Sequence, residues 1–286
     1  MNAKLLQIAF LFLGAPALFA QDYEIRLTRA LKAGDEMKVS VTTKMSQSMS
    51  QSVDGGTPQE RKHEIVVQFE GVEKVLQVDA DGRETKETLT VEKFTQAADG
   101  QTEEVVPKGT VVTCSIADKK PSFQIDGKDV EAPVAQALAT VAQLSGGDPT
   151  DDAIFGTKEH KKKGDSWDIN ADLAKQLLGN MAGGIGLSDL AGKTSVDDVT
   201  GDALKMSAQI TGKVKPPLAE GMTLDDAASF TASFHGAFPK NLAKFPPEES
   251  QEMKISFTVH ADAAGSKVAV TTNLMQTQTR IVTPLK

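Results

Sequence analysis

Lys162-Lys-Gly-Asp-Ser-Trp-Asp-Ile169 (KKGDSWDI) echoes an earlier stretch, Lys32-Ala-Gly-Asp-Glu-Met-Lys-Val39 (KAGDEMKV), and the reading of that echo decides the fold. Each runs lysine, any residue, glycine, aspartate, any residue, a large apolar residue, a charged residue and a β-branched aliphatic. The common physical factor is a turn that opens a strand. Glycine tolerates positive φ, aspartate bonds nearby backbone N–H groups, and the apolar side chain then points inward. Trp167 takes the place that Met37 takes in the earlier copy. The preceding lysines, Lys161 to Lys163, are flanked by Glu159, Asp165 and Asp168, so they read as a solvated charged turn and not as an anion site. The echo has two explanations: a duplication that gives two similar halves, or one turn device used twice. Eight positions are few, and the helices of the middle region have no counterpart in the first half, which favours the device.

Outward from the earlier copy, the pattern has period two. Ile25, Leu27 and Arg29, then Val39 and Val41, then Ile65, Val67 and Phe69, then Leu89 and Val91 alternate with polar neighbours, as strands with one buried face do. The apolar set changes parity at Gly71, to Val72, Leu76 and Val78, which predicts a bulge there. Asp54-Gly55, Asp81-Gly82, Asp99-Gly100 and Asp126-Gly127 supply hairpin turns, because a type I′ turn needs positive φ at both central residues.

Between the copies the period lengthens. Val130, Val134, Leu138 and Val141 predict a helix, Asp148-Pro149 an N-cap with Asp151 and Asp152 near the positive helix end, and Asn170 the cap of a helix bearing Leu173, Leu177 and Leu178. Gly179 to Gly192 reads as a flexible connection or lid. Strands return at Leu204 to Val214, Phe230 to His235, Met253 to His260 and Lys267 to Val282, with the prolines from Pro239 to Pro247 marking a loop. The order strands, helices, strands predicts an α+β fold: a long, mostly antiparallel curved sheet or half-barrel packed against two or three helices. Residues 1–20 have the form of a signal peptide cleaved after Ala20. Residues 21–286 are then one β-rich domain, with halves at 21–128 and 160–286 joined by a helical segment at 129–159.

Several chemistries are disfavoured. The net charge of −8 opposes nucleic acid and anionic membrane surfaces as partners, and the single cysteine, Cys114, permits neither an intramolecular disulfide nor a clustered-cysteine metal site. No transmembrane anchor is expected in the mature chain. His63, His160, His235 and His260 have no catalytic spacing, and no Gly-x-Ser-x-Gly elbow occurs. His235 and His260, on the polar parity of their strands, would make a poor two-ligand metal site. The pairs Asp151/Asp152, Asp197/Asp198 and Asp225/Asp226 read as solvated turns and helix starts. Neither a metal nor a cofactor is expected.

The leader, the early Leu-Lys-x-Gly-Asp, the later Lys-x-Gly-Asp-x-Trp and the closing alternating strands resemble a family of uncharacterised exported bacterial proteins rich in antiparallel sheet. The architecture is similar to the unclosed half-barrels of periplasmic lipoprotein carriers, which hold acyl chains between sheet and helices. That likeness is one of architecture; with the signal-peptide pattern and the missing catalytic motifs, the expectation is an exported, non-enzymatic binding or scaffold domain, periplasmic or extracellular, with a lipid or an envelope protein as candidate partners. The competing expectations are an envelope interaction protein and an enzyme whose site shows no linear motif. If a ligand is held between sheet and helices, Trp167, Phe69, Phe230, Phe234, Leu138 and Leu177 are its candidate wall; otherwise they are core.

Overall fold

The structure is a computed structural model that describes residues 22–117, 120–144, 149–181, 185–241, 243–263 and 265–285. The leader expected at 1–20, and Asp148 of the expected helix cap, lie outside the described residues. The chain first forms β1 (Glu36–Val53), β2 (Gln59–Val78), β3 (Glu84–Ala98), β4 (Gln101–Glu104), β5 (Val111–Ala117), β6 (Lys120–Ile125) and β7 (Lys128–Asp129). Then come α1 (Ala132–Ala139), α2 (Asp151–Phe155), β8 (Ser166–Asp168) and α3 (Ala171–Met181). The remainder is β9 (Gly186–Thr200), β10 (Ala203–Lys215), β11 (Met222–Leu224), β12 (Ser229–Pro239), β13 (Glu248–Ala263) and β14 (Ser266–Pro284).

All strands join one antiparallel curved sheet ordered β7-β6-β5-β3-β2-β1-β14-β13-β12-β10-β9-β8, with β4 on β3 and β11 on β13. The ends, β7 and β8, do not pair with each other among the described residues, so the sheet is open. The sheet dominates; the helices are few and short. Hairpins build it, and Asp54-Gly55, Asp99-Gly100 and Asp126-Gly127 adopt positive φ at both residues, as type I′ turns require. At Asp81-Gly82 only the glycine does, because Asp79 takes over the turn by accepting hydrogen bonds from the N–H groups of Asp81 and Arg83.

The echo proves to be geometric and extends far beyond eight positions. In the first copy Lys32 N–H donates to Asp35 Oδ2 at 2.9 Å, Gly34 N–H to Val75 O at 2.9 Å and Val75 N–H to Asp35 O at 2.9 Å. In the second, Lys162 donates to Asp165 at 3.0 Å, Gly164 to Val196 at 2.8 Å and Val196 to Asp165 at 3.0 Å. Met37 faces Glu73 and Val39 faces Gly71, while Trp167 faces Thr194 and Ile169 N–H bonds Gly192 O. Both glycines have the same cause: an added Cβ would collide with a carbonyl of the next strand, Thr90 O or Gln209 O. The sheet is thus two similar meanders in tandem, joined where the first strand of one, β1, pairs with the last strand of the other, β14.

Three expectations are corrected. Gly71 is not the start of a new parity: Val67, Phe69, Gly71, Glu73 and Val75 all face inward. The extra residue of the bulge is Glu92 on β3, since Glu70 faces Lys93 and Gly71 faces Val91. A buried charge, Glu73, had made the inward face look polar. Ile25, Leu27 and Arg29 are buried in an extended strap outside the ladders, which makes an isolated bridge at Tyr23–Lys161 and reaches the end of β12 through Arg29 Nη2 and Pro239 O. The connection read from Gly179 to Gly192 is strand β9 from Gly186 onward.

Two apolar cores lie under the two meanders. Val39, Val41, Phe69, Leu89, Phe94 and Leu138 of α1 belong to the first, and Phe69 meets Phe94 edge-on at 5.7 Å. Ile25 and Leu27 of the strap, Ile154 and Phe155 of α2, Leu178 of α3, Phe230 and Phe238 fill the second. Thr150 caps α2 by accepting from Ala153 N–H, and Asn170 Oδ1 accepts from Leu173 N–H at the start of α3. Gly71→Ala and Gly192→Ala should each cost about 1–3 kcal/mol through overpacking. Gly179→Ala, in α3 with nothing near its Cβ, should gain up to about 1 kcal/mol. Urea unfolding followed by the fluorescence of Trp167 measures both.

Candidate functional site

The interior polar residues gather where the halves join. On β14, Gln278 pairs across the ladders with Thr43 on β1 and Gln251 on β13, and Arg280 pairs with Val41 and Glu249. Gln251 Nε2 donates to Gln278 Oε1 at 2.6 Å; Gln278 Nε2 donates to Thr140 O at 2.6 Å. Arg280 Nη1 reaches Val141 O at 3.3 Å, so side chains of the sheet satisfy carbonyls just past the end of α1, where a cation is electrostatically favoured. Arg280 Nη2 bonds Glu73 Oε2 at 2.6 Å in an ion pair with both side chains almost wholly buried.

Beside this seam the second meander is hollow. A cavity of about 200 Å3 opens between β10, β12, β13 and β14 on one side and α2 and α3 on the other. Phe155, Leu177, Leu178, Phe234 and Met253 give it an apolar wall, and Gln251, Gln278, Arg280 and Glu249 a polar end. The rings of Phe155 and Phe234 stack at 5.9 Å with only 3° between their planes. Burial and the nearby Asp151 push the Glu249 carboxyl up to about 7, against the opposing pull of Arg280 and Arg29. Near neutrality Glu249 can therefore either donate or accept a hydrogen bond.

Of the six wall residues expected from sequence, the structure brings Phe234 and Leu177 together on this cavity. Phe230 is fully buried in the second core, and Phe69 and Leu138 belong to the first core, under the other meander. Trp167 is half-buried against the second core, and its Nε1 donates to Phe155 O at 2.8 Å. It fixes a wall residue without lining the cavity. The polar end, above all Arg280 and Glu249, escaped sequence reading because each looked like an ordinary strand charge. His235 faces Ser250 across the β12–β13 ladder while His260 faces Ala269. At about 3.3 Å per residue they stand roughly 30 Å apart along β13 and share no ligand.

A second polar group lies in the first core. Glu73 on β2 and Glu84 and Glu87 on β3 are all buried, with carboxyl oxygens within 4.8 Å of one another. Shifts in the β2–β3 register between Val75 and Val78 let Glu84 and Glu87, three residues apart, both face inward. Glu87 stands opposite Cys114 on β5. Desolvation, Glu73 and Glu87 push the Glu84 carboxyl up to about 10; desolvation and Glu73 push Glu87 up to about 8. Burial and the same carboxyls raise the Cys114 thiol as well, so it is inert as a nucleophile.

No family model and no curated protein sequence matches this chain. Among solved structures, it is similar to a loop L8 deletion mutant of OmpT, an outer membrane protein of Vibrio cholerae, with 10% identity over 86% of this chain and 99% of that one. The TM-score is 0.13. Among the described residues no helix is long and apolar enough to cross a membrane.

The raised carboxyls set a sign for stability against pH. A group that binds its proton more tightly when folded stabilises the fold fully below its unfolded pKa, about 4.5, and that stability is lost as pH rises through the folded value. The depressed acids, Asp79, Asp99, Glu159 and Asp198, titrate below that window. In chelator-treated protein the thermal midpoint should fall by several degrees from pH 5 to pH 8, since about 1 kcal/mol moves it by roughly 2–4 °C in a chain this size. Glu87→Met should flatten that fall in a calorimetric pH series.

Proposed function

We propose that this protein is an exported, non-enzymatic binding domain that holds a small amphiphile between its sheet and helices α2 and α3. The observation that carries this reading is the cavity: an apolar wall around Phe155 and Phe234 faces a polar end at Gln251, Gln278 and Glu249. An apolar tail would replace water against the wall, and a hydrogen-bonding head would meet the amides and the carboxyl. At about 200 Å3 the space is below the roughly 300–1,000 Å3 of drug-sized pockets, which favours a short acyl chain or single ring over a whole diacyl lipid. The likeness to the half-barrels of lipoprotein carriers supports the same class of occupant, and the signal peptide expected at residues 1–20 supports export.

Protein purified from its own source and sprayed under native conditions should carry a bound small molecule, and the emptied protein should bind decanoate, read by calorimetry. Ala232, which lines the cavity on β12, is the position to plug. Ala232→Phe should lose the bound mass and weaken decanoate binding at least tenfold while unfolding cooperatively. Emptied wild-type protein that never saturates with decanoate, and carries no mass from its source, rules the reading out.

A further inference from the structure

The carboxyl cluster has a counterpart in the second meander, and the two differ in chemistry. Val75 pairs with Glu87 as Val196 pairs with Met206, and Val78 with Glu84 as Val199 with Leu204. Met37 faces Glu73 as Trp167 faces Thr194; Glu87 faces Cys114 as Met206 faces Gly236. Glu73, Glu84, Glu87 and Cys114 therefore stand where the other half has Thr194, Leu204, Met206 and Gly236, with the Phe238 ring against Gly236. This corner of the fold closes there without a charged side chain, on apolar groups and the one buried hydroxyl of Thr194. The carboxylates are not an architectural need.

Nor are they satisfied. Glu87 is 0% exposed, and its two oxygens, like the buried Glu73 Oε1 and Glu84 Oε1, meet no donor beyond the carboxyl protons of the cluster itself and the Cys114 thiol. All three side chains turn toward one point, because oxygens within 4.8 Å of one another share a centre no more than about 2.8 Å from each. That is close to the 2.3–2.6 Å of calcium–oxygen bonds, so a small closing of the side chains brings all three carboxylates within coordination distance of one cation. With all three carboxyls ionised, the state a cation would hold, Arg280 offsets one negative charge and leaves two for the cation to balance.

We propose that Glu73, Glu84 and Glu87 form a buried divalent-cation site. Its donors are carboxylate oxygens, which select calcium, magnesium or manganese over softer ions. Cys114 is a neighbour of Glu87 and not a ligand. A cation here ties β2 to β3 across their irregular register and holds Glu73 against Arg280, the residue that also lines the cavity. The site is independent of what the cavity holds.

The full chain, unfolded in urea with a chelator, is refolded with calcium, magnesium, manganese or zinc chloride, one at a time, at pH 8. It is then desalted, weighed under native conditions and assayed for metal by atomic emission. One calcium, magnesium or manganese per chain, with a raised thermal midpoint, is the expected result. The variant Glu84→Leu/Glu87→Met, which borrows two residues of the second meander and keeps the Glu73–Arg280 pair, should fold and take up none, and Cys114→Ala should keep full occupancy. Should the double variant not refold, Glu87→Gln is read by the same assay and must lower occupancy. Wild-type protein without a stoichiometric cation, occupancy by zinc alone, or a folded variant that retains its cation overturns the proposal.

Discussion

Strands β1 and β14 pair without interruption from Met37–Pro284 to Val53–Val268, and every other part of the sheet is ordered from that seam. The partners lie at opposite ends of the folded chain. Bringing them together is the largest loop closure the protein makes, and its entropy must be met before any contact across the seam rewards it. Each meander can form by successive hairpins. Only the β1–β14 ladder makes them one sheet.

The seam is also where the interior turns polar. Two apolar cores meet there without merging, because Thr43, Gln278 and Arg280 stand inward on the joining strands. These side chains hold the carbonyls at Thr140 and Val141, so the end of α1 is fixed by the same ladder that joins the halves. Removing the Arg280 charge would leave Glu73 buried and unpaired, a far larger penalty than the net worth of the pair. The seam therefore favours one relative placement of the two halves over other ways of packing apolar faces.

The sheet was legible in the sequence where inward residues are apolar. Ile65 to Phe69, Leu89, Val91 and the alternation from Phe230 onward announced their strands, and the Asp-Gly pairs announced the hairpins. Reading failed where the interior is charged or where tertiary contact decides. Glu73 reversed the apparent parity of β2. The glycines of β9 looked like a loop, although Gly192 is a glycine because the next strand passes so close. The strap alternates as a strand would, yet the backbone N–H groups of Leu27 and Thr28 donate to the Asp152 carboxylate instead of to a ladder. Half of the candidate site followed from periodicity, in Phe234 and Leu177; its polar end depends on neighbours brought from other strands, which no local pattern records.

The tandem arrangement has a consequence at the margins of the sheet. If the first strand of one unit pairs with the last strand of the other, the same rule could continue, with β8 of one molecule accepting β7 of the next in an unending ribbon. The chain ends that series by stunting both terminal strands. β7 is only Lys128–Asp129, both exposed and charged, and β8 is only Ser166–Asp168, with the Tyr23 strap bonded beside it at Lys161. Short, charged or covered margins offer little template for another chain. Repetition left unfinished at each end thus gives the sheet no ready edge on which a further unit could be added.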